Sequence, residues 1–371
     1  MASLPRSIRA VVLVGHGGTD MLRYREDWPR PEPGEGEVLI QVQACGLNNT
    51  DINTRTGWYA RAVKSGTAQS AARGFEDAGT SAGSWGDRIQ KFPRIQGADV
   101  AGLIVAVGVG VEGARIGERV IVDPWLLGRG DWMDARRSDY FGSECDGGFA
   151  DFTTVRAENA IAVNSALSAA ELATFPCAYS TAENLISRTG LRPGETVAVA
   201  GASGGVGTAA IQLCRLRGAR VIAIAAAAKA RALTDLGAHF VVDRETDDLE
   251  GAIREAAGGA VDVALDVVGG ETFMHLINSL RQGGRYSASG AISGPMAKFD
   301  LRQMIYKDLQ LTGATIVPPG TLQRIVRLIE QRSLQPVLAQ TFALRDLAAA
   351  QEVFMAKKHV GNIVVTMDEV E

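Results

Sequence analysis

One short stretch of this 371-residue chain concentrates side chains that could do chemistry. Residues 45–59 read CGLNNTDINTRTGWY, which combines a thiol at Cys45, a run of small polar groups and the aromatic pair Trp58 and Tyr59. A thiol among polar groups suits a metal site, whereas amides, hydroxyls and a phenol suit hydrogen bonding to a substrate. A turn built from asparagine and threonine is a third interpretation of the same residues.

A glycine-rich loop between a strand and a helix predicts a dinucleotide site. The run TVAVAGASGGVGTAAIQLC places a buried strand before Gly201 and a helix directly after the glycines. Gly204 would let the backbone approach a pyrophosphate, and Gly207 would let the helix pack on the strand. Free N–H groups and the positive dipole end at the start of the helix favour the phosphates. We therefore predict cofactor contacts from the loop residues Ala202, Ser203, Gly204, Gly205, Val206 and Gly207.

The end of the second strand of this unit predicts the form of the cofactor. An NAD site usually places Asp or Glu there to bind the ribose 2′-hydroxyl. The sequence VIAIAAAAKARAL has no acid before Asp235, and Lys229 and Arg231 follow the strand instead. Two cations without an acid attract a 2′-phosphate, so NADP (NADPH) is favoured over NAD. In the other interpretation, the cations lie on the solvated face of a helix.

Two patterns along the chain predict the elements that position these residues. Up to residue 160 the sequence is β-rich, and apolar runs such as EVLIQVQAC (37–45) and VAGLIVAVG (100–108) are separated by glycines and prolines. From about residue 190, apolar strands alternate with helices such as AKARALTDLG (228–237). This alternation predicts an α/β fold with a doubly wound parallel sheet. The pattern becomes β-like again in GNIVVTM (361–367).

Residues 62–92 interrupt the β-rich part. They read AVKSGTAQSAARGFEDAGTSAGSWGDRIQKF, which is rich in Ala, Gly and Ser and has no clear period. Long loops of this kind are often binding loops or lids, and a surface insertion is the alternative.

Composition and charge exclude several classes of protein. Apolar residues make up 46% and charged residues 22%, as in ordinary soluble globular proteins, and the net charge of −4 gives no reason to expect nucleic acid or an acidic membrane surface. The N-terminus lacks a signal-peptide pattern, and no run reaches the roughly 18 uncharged apolar residues of a membrane span. Four cysteines without a CxxC pair predict reduced thiols and a cytoplasmic location.

Several motifs together make the chain resemble the medium-chain dehydrogenase/reductase superfamily over nearly its full length. They are GADVAGLIVAVGVGV, RIGERV, DGGFADF, CAYSTAENL, GETVAVAGASGGVG, LGAHFVVD, DVALDVVGGE and GNIVV. The resemblance implies a Rossmann doubly wound parallel sheet plus a GroES-like, partly open β-barrel catalytic domain, with the active-site cleft between them. The implied boundaries are 1–160 for the first part of the catalytic domain, 161–310 for the NADP-binding domain, and 311–371 for the part that returns to the catalytic domain.

The resemblance also implies that metal ligands of the zinc-dependent branch are replaced here. In that branch a G-x-C-x-x-D pattern supplies a cysteine, but the matching run GLNNTD has Asn48 in that slot, and Cys45 lies three residues too early. The G-H-E pattern that supplies a histidine reads GAD, while Cys177 remains in the third slot. One thiol and one carboxylate do not make the three-ligand site of catalytic zinc. The region 124–146, where four structural cysteines would lie, has only Cys145, so we predict no zinc of either kind.

These departures match the zinc-free branch, which resembles quinone oxidoreductases and enoyl thioester reductases. Without a Lewis acid, a quinone or an α,β-unsaturated carbonyl is an easier hydride acceptor than a simple aldehyde, because conjugation spreads the charge. The resemblance implies that Asn48 binds the substrate, that Thr50 takes the hydroxyl position of a proton relay, and that Tyr59, at the end of an N-x-x-x-G-x-Y stretch, donates a proton. Alternatively, Asn48 forms a turn and Tyr59 lines or caps the cleft.

Further cofactor contacts are implied outside the glycine loop. Thr181, in CAYSTAENL, matches a residue that packs beside the nicotinamide, or it only caps its helix. Val268, Ser289 and Gly290 lie at the ends of sheet strands and are expected to face the cofactor. Asn362 takes a position where the family often has a lysine near the cofactor phosphates. The four histidines lie in scattered contexts and are interpreted as surface or structural residues.

Taken together, the residues and the resemblance predict an NADPH-dependent, zinc-independent oxidoreductase that reduces a quinone or an activated, α,β-unsaturated carbonyl. Three alternatives stay open: an enoyl thioester (enoyl-CoA type) reductase whose acyl channel residues 62–92 would line, a zinc-type alcohol dehydrogenase, and an NADPH-binding protein without catalysis. The expected partner is a small-molecule substrate rather than nucleic acid or a membrane. Relatives of this kind commonly dimerise or tetramerise, so we expect a homodimer or homotetramer.

Overall fold

A computed structural model of the chain describes residues 4–78, 90–128, 130–134 and 138–367. The predictions for residues 62–92 and 124–146 therefore fall partly outside the described residues. Among the described residues, no helix combines the length and hydrophobicity that crossing a bilayer requires.

The described part of the chain contains the following strands and helices. The strands are β1 (Ser7–Leu13), β2 (Leu22–Pro29), β3 (Glu37–Gly46), β4 (Arg94–Ile95), β5 (Asp99–Val107), β6 (Arg119–Val122), β7 (Trp125–Leu126), β8 (Asp139–Tyr140), β9 (Phe152–Arg156), β10 (Ala160–Ala162), β11 (Thr196–Ala200), β12 (Arg220–Ala225), β13 (Phe240–Asp243), β14 (Val261–Asp266), β15 (Leu280–Ala288), β16 (Gln310–Gly313), β17 (Leu338–Ala343) and β18 (Asn362–Thr366). The α-helices are α1 (Asn49–Thr56), α2 (Ala169–Leu172), α3 (Pro176–Thr189), α4 (Gly205–Leu216), α5 (Ala230–Asp235), α6 (Leu249–Ala257), α7 (Thr272–Ser279), α8 (Leu301–Tyr306), α9 (Thr321–Glu330) and α10 (Leu347–Met355).

A parallel six-stranded sheet organises the nucleotide lobe. Its strand order is β13-β12-β11-β14-β15-β16, and every neighbouring pair is parallel. This order reverses direction at β11, which is where doubly wound sheets bind dinucleotides. Helices α3, α4 and α9 bury one face of the sheet, and α6 and α7 bury the other. The fold class predicted from the alternating pattern is confirmed.

A second, mostly antiparallel sheet organises the catalytic lobe and uses both ends of the chain. Its order is β10-β6-β5-β3-β18-β17, with β9 also paired to β3. The late strand β18 is antiparallel to the early strand β3, and Val364 pairs with Gly46. The chain therefore leaves this lobe, builds the nucleotide lobe and returns. Strand β16 starts at the boundary expected near residue 310 and belongs to the nucleotide sheet, so the return begins later in the chain.

Hydrophobic alternation in the sequence does not predict two of the edge strands. Strand β2 reads LRYREDWP and β17 reads LAQTFA, and neither alternates strictly between apolar and polar residues. Both lie at the edge of a sheet, and most of their side chains remain at least partly exposed. Charged side chains are common on such edges because they discourage pairing with another chain. Hydrophobic periodicity is therefore a weak signal at these positions.

The described first part of the predicted insertion joins the two lobes. The Thr67 N–H donates to the carbonyl of Ile292 in the nucleotide lobe, at 2.9 Å. On the other side, the indole N–H of Trp58 donates to the carbonyl of Ser65 at 2.9 Å. Residues 64–67 therefore bridge the segment after α1 and the loop after β15. Whether this segment acts as a lid stays a prediction.

Candidate functional site

The glycine loop forms an open cradle between β11 and α4. Gly201 has a φ of +66°, a left-handed conformation that glycine adopts without strain. Gly204 precedes the helix in an extended conformation, and no side chain caps α4. A Cβ on Gly207 would overlap the carbonyl oxygen of Gly201, whereas a Cβ on Gly204 would have only that oxygen nearby, at 3.7 Å. Gly207 thus serves close packing, and Gly204 leaves space in front of free N–H groups that suit a phosphate.

A cavity of about 340 Å³ opens in front of this cradle. The loop lines it together with the carboxyl ends of three parallel strands, and Val268 follows the last of these strands. Asn49 lines the cavity from the catalytic lobe, so the cavity lies between the lobes. The loop residues on its wall are Ser203, Gly204, Gly205, Val206 and Gly207. Ala202 is fully buried behind them and does not face the cavity.

Basic side chains gather at one end of the cavity. The Lys229 ammonium donates to Ser203 Oγ at 3.1 Å and to the carbonyls of Lys357 and His359, both at 2.7 Å. Burial and the nearby Lys229 lower the pKa of Lys357 to about 7, and its Nζ lies 3.0 Å from Asn49 Oδ1. Arg244 lines the same cavity. These positive charges suit a phosphate beyond the pyrophosphate.

The other predicted cofactor residues differ in whether they line the cavity, pack against its wall or face solvent. Arg231 is exposed on α5 and does not line it, so Arg244 and Lys357 supply the cations that accompany Lys229. Asn362 is buried directly against Gly205 of the loop. At the end of β15 the Ser289 hydroxyl is buried without a hydrogen-bond partner, and Gly290 packs against the backbone of Val267, which lines the cavity.

A polar cluster forms around the positions that the resemblance matches to catalytic metal ligands. Asn48 ends the turn after β3 and is the N-cap of α1. Its Nδ2 donates to Asp99 Oδ2 at 2.9 Å, and the backbone N–H of Cys177 donates to Asp99 Oδ1 at 2.7 Å. One carboxylate at the start of β5 therefore connects the turn with the first turn of α3.

A second buried carboxylate supports the turn that carries Asn48. Asp51 Oδ2 accepts the backbone N–H of Asn48 at 2.8 Å, and its Oδ1 accepts the N–H of Gly97 at 3.2 Å. Burial raises the pKa of both Asp51 and Asp99 to about 7, and the hydrogen bonds that each carboxyl accepts oppose this rise. These bonds give the turn a defined shape.

Tyr140 completes the cluster from β8, and sequence reasoning missed it. Its hydroxyl donates to the Cys177 sulfur at 3.2 Å, and its ring packs edge-on against Trp125 with centroids 5.1 Å apart. Thr181, one turn further along α3, also donates to this sulfur. Burial, and then the charge of Asp99, raise the pKa of Cys177 far above its ordinary value, so the group is a neutral thiol.

The remaining residues of the opening stretch divide between site and core. Thr50 lies on α1, and its buried hydroxyl has no hydrogen-bond partner among the residues that the structure describes. Tyr59 follows α1, is partly exposed and packs edge-on against Trp58, with ring centroids 5.6 Å apart. Cys45 is fully buried at the end of β3 beside Phe149, where it packs as a small hydrophobic residue.

The donor set at this cluster does not fit catalytic zinc. Asn48 offers an amide, Ala98 a methyl group, and Cys177 a single thiol, which falls short of the three protein ligands of a catalytic zinc site. Within the described ranges, no group of three or more His, Cys, Asp and Glu side chains is arranged to hold a metal ion. We therefore derive no chemistry through a metal.

Sequence reasoning also missed part of the cavity wall near the C-terminus. Phe354, Lys357 and His359 line the cavity, although the histidines were interpreted as surface or structural residues. The Lys357 ammonium lies 3.7 Å from the centroid of the Phe354 ring. The dense run KKH, which only Val360 separates from GNIVV, is the signal in the sequence that points to this wall.

Two family models cover most of the chain. One, described as the alcohol dehydrogenase GroES-like domain, matches residues 34–165, which lie in the catalytic lobe. The other, described as zinc-binding dehydrogenase, matches residues 205–331, which begin at α4.

Full-length relatives give the same architecture with different names. A crystal structure from Sinorhizobium meliloti 1021, provisionally named an alcohol dehydrogenase, is 45% identical with a TM-score of 0.89, and the match covers 99% of each chain. Acryloyl-coenzyme A reductase of Metallosphaera sedula is 27% identical over 97% of this chain and 100% of its own length. Quinone oxidoreductase of Lama guanicoe is 27% identical over 95% of each.

Proposed function

The chain belongs to the medium-chain dehydrogenase/reductase superfamily, and on that premise we propose that it is an NADPH-dependent, zinc-independent reductase of quinones or α,β-unsaturated carbonyls. The observation that carries the proposal is the hydrogen-bonded cluster of Asn48, Asp99 and Cys177, because Asn48 directly precedes Asn49 on the wall of the nucleotide cavity. A quinone oxidoreductase and an acryloyl-coenzyme A reductase among the relatives support this reaction class.

The cavity fits a nicotinamide dinucleotide. The open space at Gly204, the uncapped start of α4 and the wall from strand ends suit the pyrophosphate and ribose groups. Lys229, Arg244 and Lys357 favour NADPH over NADH because they would lie close to a 2′-phosphate. When bound, the cofactor would supply the hydride.

The polar cluster supports an acceptor that already spreads its charge. Reduction of an enone or quinone develops negative charge on an oxygen, and a preorganised amide N–H stabilises such an oxyanion. Asn48 is held in one orientation by Asp99, which avoids the cost of reorganising the amide during the reaction. An unactivated aldehyde would lack both conjugation and a Lewis acid.

An enoyl thioester reductase is the second candidate. Tyr59 ends the N-x-x-x-G-x-Y stretch and remains partly exposed, which a proton donor at a cleft requires. Tyr59→Phe should then slow reduction of crotonyl thioester by at least about 100-fold and leave NADPH affinity unchanged. An unchanged rate would remove Tyr59 from the mechanism.

Turnover measurements test the proposed function directly. Purified protein is assayed by NADPH and NADH consumption against a panel of quinones, enones, enoyl thioesters and simple aldehydes, and by cofactor reduction with alcohols. Metal content is measured in the same preparation. We expect consumption of NADPH with a quinone or an enone. Alcohol oxidation by a preparation with about one zinc per chain would overturn the proposal, and cofactor binding without any turnover would favour a non-catalytic role.

We further propose that two copies associate through the outer strand of the nucleotide sheet. Strand β16 ends that sheet, and the nearby Leu301, Ile305 and Tyr306 are each more than half exposed. Apolar side chains beside an unpaired strand edge favour pairing with a second copy. Light scattering of the wild type and of Ile305→Glu distinguishes a dimer from a monomer.

A further inference from the structure

Asp99 is a buried acceptor with two fixed donors. It is only 1% exposed, and its two oxygens face different elements, Asn48 on one side and the N–H of Cys177 on the other. An ionised carboxylate can only accept hydrogen bonds. The Asn48 side chain turns its nitrogen, not its oxygen, toward Asp99 and donates to Oδ2 at 2.9 Å.

The position of Asp99 is set by the backbone around it. Asp99 begins β5 and pairs with Gly46 at the end of β3, two residues before Asn48. Its Oδ1 takes the place of a side-chain cap on α3, because the N-cap residue Phe175 makes no such bond and Pro176 has no N–H. The carboxylate is thus held at the start of a helix, where the dipole favours negative charge.

No other side chain among the described contacts takes over this role. The second carboxylate, Asp51, accepts backbone N–H groups of Asn48 and Gly97. Its carboxylate therefore shapes the turn and is not bonded to the amide group of Asn48. Asn48 remains 9% exposed, next to Asn49 on the cavity wall.

We propose that Asp99 is a positioning residue that fixes the amide of Asn48, leaving the second N–H of Nδ2 to donate to the acceptor oxygen. An amide nitrogen carries two hydrogens, and Asp99 takes one of them. The inference rests on the proposed function and specifies which residue makes Asn48 a donor.

The substitution Asp99→Asn is the central test because it is nearly isosteric. The new amide at position 99 can still accept the Cys177 N–H with its oxygen, so its nitrogen faces Asn48. Asn48 must then turn its own oxygen toward position 99, which moves its N–H groups away from the acceptor. We expect kcat to fall by roughly 10- to 100-fold, since misplacing one oxyanion donor has effects of this size. The affinity for NADPH should change less than about twofold, because the cofactor cradle is untouched.

A swapped pair separates positioning from simple stability. Asn48→Asp alone places two carboxylates against each other and should lower the melting temperature. Adding Asp99→Asn restores a complementary hydrogen bond, so the melting temperature should recover, but kcat should stay low because position 48 no longer donates. Recovery of kcat together with the melting temperature would overturn the proposal.

Asp123→Asn is the matched control. Asp123 is a half-buried carboxylate that accepts a backbone N–H, from Trp125, and none of the hydrogen bonds described for the residues of the structure joins it to Asn48. Asp99→Asn with a kcat equal to that of Asp123→Asn, or above the wild type, would also overturn the proposal. A wild-type enzyme without turnover would contradict the proposed function instead, and failure of the melting temperature to recover in the swapped pair would still contradict the Asn48–Asp99 pairing.

Discussion

The nucleotide cavity and the polar cluster lie side by side but are built in different ways. The cradle comes from consecutive backbone atoms of one strand–loop–helix unit, between Gly201 and Gly207. The cluster comes from side chains on four separate segments, namely Asn48, Asp99, Tyr140 and Cys177. A backbone site tolerates changes of side chain but not of shape. A side-chain site tolerates small changes of shape but not of a donor or an acceptor.

The largest effect should come from shape in the cradle. Gly207→Ala adds a methyl group against the backbone of Gly201 and Ala202, which cannot move without parting α4 from β11. We expect the free energy of unfolding to fall by about 3 kcal/mol, at the upper end of overpacking effects, and NADPH binding to be lost. Thermal unfolding and fluorescence titration measure the two effects.

Gly204→Ala is the control that separates fold from binding. Its Cβ meets only the Gly201 oxygen at 3.7 Å, and its φ of −81° suits alanine. The melting temperature should stay near the wild type, while the Kd for NADPH rises about 10- to 100-fold because one charged hydrogen bond is obstructed. Equal melting temperatures for both variants would contradict the assigned roles of the two glycines.

The second effect concerns a donor in the cluster. Asn48→Ala removes the amide but keeps the backbone of the turn, which Asp51 holds through the Asn48 N–H. We expect kcat with an enone to fall about 100-fold, with the NADPH Kd unchanged. If Asn48→Ala weakened NADPH binding and left kcat unchanged, Asn48 would belong to the cofactor cradle. The distinction drawn between the cradle and the polar cluster would then be wrong.

The third effect follows from the charge at the basic end of the cavity. Burial and Lys229 lower the pKa of Lys357 to about 7, so without a bound phosphate it is mostly neutral above pH 7. Since a phosphate favours the protonated form, NADPH binding should take up a proton, and its Kd should rise between pH 7 and 9 by up to about 10-fold per pH unit. His359, whose pKa burial lowers to about 4, stays neutral in this range and does not contribute.

Lys357→Met provides the matching test. It should weaken NADPH binding about 10-fold at pH 7 and remove most of the pH dependence, because the titrating charge is gone. NADH, which lacks the 2′-phosphate, should bind equally to both proteins. A pH dependence that persists in the variant would assign the proton uptake to another group.

The smallest effect should come from Tyr140. Tyr140→Phe removes one neutral hydrogen bond to the Cys177 thiol, so kcat should fall only about 5-fold. Tyr179→Phe is the control, because it also removes a buried hydroxyl, which is bonded to the Gln335 carbonyl. It should lower the melting temperature about as much as Tyr140→Phe does, but it should not change kcat. A loss above about 100-fold for Tyr140→Phe would make Tyr140 the proton donor instead of Tyr59.

The comparison also explains how much of the molecule could be predicted from its sequence. The cradle was predictable because Gly204 and Gly207 belong to one local pattern. The order of strand, glycine loop and helix in the sequence is also their order in the folded unit. The resemblance identified Asn48 and Cys177 as candidate site residues, because the corresponding positions of the family lie in motifs of fixed spacing. The fold class followed from the alternation of strands and helices after residue 190.

Residues whose neighbours depend on the tertiary fold were not predictable in this way. Tyr140 lies in a segment without hydrophobic period, and only the folded lobe brings it to Cys177. Arg244 and Lys357 reach the cavity from outside the second strand–helix junction, whereas Arg231, close to that junction, turns to solvent. The helical phase of a short basic run decides which cation faces the cavity, and the sequence alone leaves that phase open.

The pairing of β3 with β18 has a consequence for how the protein is made. The strands of the nucleotide sheet all lie between residues 196 and 313, so a ribosome can release that sheet as a complete unit. The catalytic sheet is completed only when β18 (Asn362–Thr366) has been made, because β18 lies between β3 and β17. During synthesis residues 44–46 of β3 therefore lack their partners in β18 until that strand is made, whereas residues 37–41 already pair with β9. Chaperone demand should concentrate on the first lobe.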